Sequence, residues 1–127
     1  MTGQYLYLHD PTGKRRPLRI YTDITQTAEE MRIGLSGRKN IPDFYGMLFK
    51  FPKGARPSMW MKATYVPLDI AFLDDKGVVL SIEYGEPHNV QSIYGPEGSV
   101  YSLEVRGGLL SRFGVQSGFQ LSAQSRI

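Results

Sequence analysis

Residues Phe44–Gly77 read FYGMLFKFPKGARPSMWMKATYVPLDIAFLDDKG, and this stretch decides what the chain can be. It holds three of the four internal methionines, the single tryptophan and four of the six phenylalanines. From Met47 to Phe51 the odd positions carry large apolar side chains, with Leu48 and Lys50 between them, which predicts a strand. PKGARP, Pro52–Pro57, has two prolines and a glycine and reads as an exposed basic loop, because proline cannot serve an inner ladder. From Met59 to Tyr65 the alternation resumes: Met59, Met61, Ala63 and Tyr65 fall on one face and Trp60, Lys62 and Thr64 on the other. Pro67 marks a bend or strand end. Asp69–Leu73, the turn Asp74–Gly77 and Val78–Tyr84 then spell a hairpin. Two charges, Lys62 and Asp69, are left inside apolar runs.

Upstream, Tyr5–His9 runs into the turn residues DPTGK (Asp10–Lys14), and Leu18–Ile24 returns with Leu18, Ile20, Thr22 and Ile24 on one face, so residues 1–21 read as an N-terminal hairpin. The period then changes. Thr27 followed by Glu30 is a capping box, and a short helix is expected over Ala28–Leu35, ended by Gly34 or Gly37 and held by packing on a sheet. Downstream, Gly85–Gly98 reads as a long surface loop carrying His88. Ser99–Arg106 is a strand with Tyr101, Leu103 and Val105 inward and Glu104 on the opposite face. Gly107–Gly114 reads as a single helical turn, and Phe119–Ala123 as a last strand. The fold class is therefore mainly β, a small curled sheet or barrel of about seven or eight short strands with one short helix packed against it.

At 127 residues, 41% hydrophobic and 21% charged, the chain fits one domain able to bury its own core. Cysteine is absent, which excludes disulfides and thiolate metal sites. No apolar run reaches the ~20 residues a membrane helix needs, and MTGQYLYLHD lacks the layout of a signal peptide. The formal charge of +3 owes much to Lys14, Arg15, Arg16 and Arg19. A short basic turn is not a nucleic-acid footprint, and Lys50, Lys53 and Arg56 add no stacking-plus-basic arrangement, so no nucleic-acid partner is expected.

The blocks GLSGR (Gly34–Arg38), GMLFKF (Gly46–Phe51), MWMKAT (Met59–Thr64), PLDIAF (Pro67–Phe72) and LEVRGG (Leu103–Gly108), with Gly114 and Gly118, resemble in order and spacing the family called domain of unknown function 192. The resemblance spans about residues 22–121. It implies a small mainly-β domain, often exported behind a signal, with no established activity and no catalytic residue to carry over. The chain departs from the family pattern, which usually has an apolar pair at Ser36 and Gly37, an asparagine at Ala63 and Gly-Asp at Gly118 and Phe119.

Candidate chemistry gathers on Trp60, Lys62, Thr64, Asp69, Glu104 and Arg38. One reading is a structural ion network, Lys62 with Asp69 or Glu104 and Arg38 nearby, since a charge inside an apolar run must be paired. A second is a polar cluster beside an aromatic wall, holding a small polar, anionic or polyhydroxylated ligand or a protein partner in a noncatalytic accessory module. A third is a small hydrolase using Asp69 and Glu104 with Lys62. Met47, Met59 and Met61 read as core filler rather than copper ligands, and His9 and His88 lack partners spaced for zinc, so no metal or cofactor is expected.

Overall fold

The alternating runs form nine strands among the described residues, which in this computed structural model are 1–124. In chain order the elements are β1 (Thr2–His9), β2 (Leu18–Ile24), α1 (Ala28–Ile33), β3 (Tyr45–Lys50), β4 (Ser58–Met59), β5 (Leu68–Leu73), β6 (Val79–Gly85), β7 (Ile93–Tyr94), β8 (Tyr101–Arg106), α2 (Leu109–Arg112) and β9 (Gln120–Ser122). Seven strands make one curled sheet in the order β6-β5-β8-β3-β2-β1-β9, while β4 and β7 pair separately. Every pairing is antiparallel except β2 with β3.

The sheet curls until its edges meet. Val78 bridges Gln120, the Val79 N–H donates to the Phe119 carbonyl at 2.8 Å, and the Leu121 N–H donates to the Gly77 carbonyl at 2.8 Å. Gly77 at this seam has φ +81°, and a Cβ there would lie 2.5 Å from the Leu121 carbonyl oxygen, so both conformation and space require glycine. Inside the curl, Leu8, Leu18, Ile20, Ala71, Leu73, Leu103 and Val105 pack with Leu109, Leu110, Val115 and Phe119.

A second core lies on the outer face of β3, β5 and β8. Met47, Phe49, Leu68, Ile70 and Phe72 are covered there by Leu35, Ile41, Met61 and Val66 from the connecting segments. Coverage on both sides explains why all six residues of β5 are buried. The α1 helix has the expected capping box, Thr27 with Glu30, and stops at Gly34, a little short of Leu35.

The expected strand over Met59–Tyr65 is corrected. Strand pairing ends at Met59, and residues 61–64 form a tight turn closed by the Thr64 N–H on the Met61 carbonyl at 3.0 Å, with Ala63 at φ 54°. The turn buries Met61 and Thr64, three residues apart, and exposes Trp60, Lys62 and Ala63, so the period-two faces expected of a strand are not formed. The Gly85–Gly98 loop gains a short strand, β7, which pairs with β4, and the helical turn expected over Gly107–Gly114 forms as α2.

Two stability tests follow from these contacts. Ala63→Gly should stabilise the chain by about 1 kcal/mol, because a left-handed alanine carries roughly that strain. Urea denaturation should show a higher midpoint at unchanged slope. Asp69→Ala removes the buried carboxylate oxygen that accepts from the Gly108 N–H at 3.0 Å and the Leu110 N–H at 3.1 Å. It should cost on the order of 2 kcal/mol in the same measurement.

Candidate functional site

Glu104 is the residue about which the site is built. Register pairs it with Met47 on β3 and Ile70 on β5, so its side chain joins the outer core and not the inside of the curl. Only 3% of its surface is exposed. Among the described residues its carboxyl has no hydrogen-bond partner and no cation within ion-pairing distance. Burial alone pushes its pKa up from 4.5 to about 8, because a carboxylate in that setting would lose hydration with nothing to replace it. At neutral pH Glu104 is mostly a neutral acid.

The carboxyl opens onto a cleft of about 690 Å³. One wall is the end of α1 and the turn after it, with Met31, Leu35 and Ser36; the other is the Ser58–Thr64 segment, with Met59, Trp60 and Lys62. Phe49 lies with Glu104 on the sheet side. The two walls are tied together. The Gly37 N–H donates to the Ala63 carbonyl at 2.8 Å, and the Ser36 hydroxyl donates to the Lys62 carbonyl at 3.3 Å. Trp60 is 51% exposed at the mouth, with the Lys62 ammonium 5.3 Å from its ring centre.

Four of the six residues singled out in the sequence therefore meet at one cleft: Trp60, Lys62, Thr64 and Glu104. The other two lie elsewhere. Asp69 pairs in register with Val105, one residue along from Glu104, and so projects from the opposite face, where it holds the start of α2. Arg38 donates to the Tyr45 hydroxyl at 3.1 Å, which in turn donates to Asp23 at 2.6 Å. The ion network expected of Lys62 with Asp69 or Glu104 is not formed; the ion pairs among the described residues are Met1–Glu30, Glu29–Arg32 and Asp43–Arg112. Met31, Leu35, Phe49 and Met59 were readable only as core, since apolar spacing does not tell a filled contact from a cleft wall. His9 contacts Ser122 and the Gln124 carbonyl, whereas His88 meets the Tyr65 ring edge-on.

Residues 10–123 match the family described as Uncharacterized ACR, domain of unknown function 192, and the chain belongs to it. Among solved structures it is similar to a protein of unknown function from Novosphingobium aromaticivorans, at TM-score 0.86 and 24% identity over 94% of this chain and 84% of that one. It is also similar to a Sinorhizobium meliloti protein described as a "putative transcription regulator", at TM-score 0.88 and 30% identity over 95% of this chain and 93% of that one. No curated protein matches it in sequence. No helix among the described residues is long and apolar enough to cross a membrane.

The raised pKa of Glu104 fixes a sign. Between pH 4.5 and about 8 the folded chain keeps a proton that the unfolded chain has released, so stability is greatest below that window and falls as pH rises through it. Glu104→Gln, neutral at every pH, should remove a loss on the order of 3 kcal/mol between pH 5 and 8. Thermal melts of both proteins across that range check this, and parallel curves would refute it.

Proposed function

We propose that this chain is a noncatalytic module that binds a small molecule in the cleft over Glu104. The observation that carries this reading is a buried acid without a partner on the floor of an open cleft. The carboxyl makes no hydrogen bond to the protein among the described residues yet reaches the cleft, so a ligand on the floor can take its bonding capacity in place of water. The volume suits a small molecule, and Trp60 and Phe49 offer apolar walls.

A hydrolase using Asp69 and Glu104 with Lys62 has less support. The two carboxyls occupy opposite faces of the sheet, and Asp69 is engaged by two backbone N–H groups. General acid and base groups must both reach one substrate atom, directly or through a water.

Because Trp60 is the only tryptophan and stands at the mouth, its emission reports on the cleft. Glucose, AMP, citrate and benzylamine can be titrated separately while emission and melting temperature are followed. At least one should shift both, and Ser36→Phe, which narrows the cleft, should weaken that response at least tenfold while leaving the protein folded. A response that survives Ser36→Phe unchanged would move the binding away from the cleft.

A further inference from the structure

The chemistry of the cleft lining narrows the ligand class, and this step rests on the binding role given to the cleft above. We propose that the cleft takes a small organic cation, an amine or alkylammonium carried on an apolar body, with its charged group seated on Glu104.

The argument is one of complementary surfaces. An anion site needs converging donors, such as backbone N–H groups or a guanidinium fork. Besides Arg32, Lys62 and the hydroxyls of Ser36, Ser58, Thr64 and Ser92, the groups on the sheet side and walls are of the other kind: the Glu104 carboxyl, the rings of Phe49 and Trp60, and the thioethers of Met31 and Met59. Ring faces carry negative charge density and attract ammonium groups, the more so when water is excluded.

Two cations line the cleft, and neither reverses this balance. Arg32 on α1 is paired with Glu29 at 2.8 Å, and Lys62 stands exposed at the mouth over Trp60. An exposed charge acts through water and is screened, whereas Glu104 acts in a buried, low-dielectric position, where a charge pair is several times stronger. No other ionisable residue lines the cleft, and the cross-strand neighbours Met47 and Ile70 carry no charge. A neutral ligand can still share a hydrogen bond with the protonated acid. Only a cation makes use of the carboxylate, and it must then displace the proton.

That exchange gives the test a direction. An ammonium ligand binding to ionised Glu104 releases a proton, so affinity should climb nearly tenfold from pH 6 to pH 7 and level off above pH 8. Benzylamine, benzyl alcohol and benzoate, alike in body and different in charge, are titrated against the wild type and Glu104→Gln at pH 6, 7, 8 and 9. The readouts are Trp60 emission and the proton release seen by calorimetry in two buffers. Benzylamine is expected to bind at least tenfold more tightly than the other two at pH 8, with proton release at pH 7. In Glu104→Gln, checked for folding by its melt, its affinity should fall at least tenfold and lose its pH dependence. Equal or tighter binding of benzoate or benzyl alcohol would overturn the cation assignment while leaving the cleft a binding site. Failure of all three probes would overturn the cation assignment, and would overturn the binding role as well if glucose, AMP and citrate also give no response. Benzylamine binding that Glu104→Gln leaves intact would place the amine elsewhere and overturn the assignment.

Discussion

A strand that is dry on both faces leaves no solvated place for a polar side chain, and β8 has one on each of two outward positions. Leu103 and Val105 fill the inside of the curled sheet, while Ser102 and Glu104 face an outer layer of connecting segments. Ser102 is satisfied weakly, through the Met59 sulfur at 3.6 Å. Glu104 has no hydrogen-bond partner among the described residues. The outer layer closes over Met47, Phe49 and Ile70 yet stops short over the acid, and the gap it leaves is the cleft. The second core and the opening between its walls set the surroundings of this carboxyl, and its raised pKa follows from them.

Much of the barrel was legible because period-two alternation is a local property. Leu18–Ile24 and the Asp74–Gly77 turn stand where the sequence put them, and Thr27 with Glu30 caps α1 as its spacing predicts. The placement of Glu104 opposite Leu103 and Val105 was readable for the same reason. Its lack of a partner was not, since that depends on which distant segments cover the outer face. Met59–Tyr65 misled because large apolar and polar residue types alternate there in the sequence although the backbone turns. Only the hydrogen bond from Thr64 to Met61 and the positive φ of Ala63 reveal the turn.

That φ gives the family resemblance a physical meaning. Asparagine tolerates the left-handed conformation better than other residues with a Cβ, so the asparagine usual at the Ala63 position suits the backbone of this turn, whatever its amide also does. Alanine retains the turn at a cost in strain. Asp69 is reinterpreted in the same way: its two N–H partners on Gly108 and Leu110 make it a support for α2, whose Leu109 and Leu110 pack into the inner core. The partners of Asp69 are backbone groups rather than Lys62, which stands exposed.

The parallel pairing of β2 with β3 has a consequence for how such a chain can vary. Antiparallel neighbours can be joined by a tight turn, but a parallel neighbour is reached only by carrying the chain out across the sheet. Residues 25–44 are that passage, and they bring α1, Leu35 and Ser36 to one side of the cleft. The connection that the topology demands is also a jaw. Lengthening or retilting it would reshape the cleft over Glu104 without touching a strand register. Architecture and cleft shape are therefore separable in this molecule: the ladder sets the sheet, and the passage sets one wall of the opening.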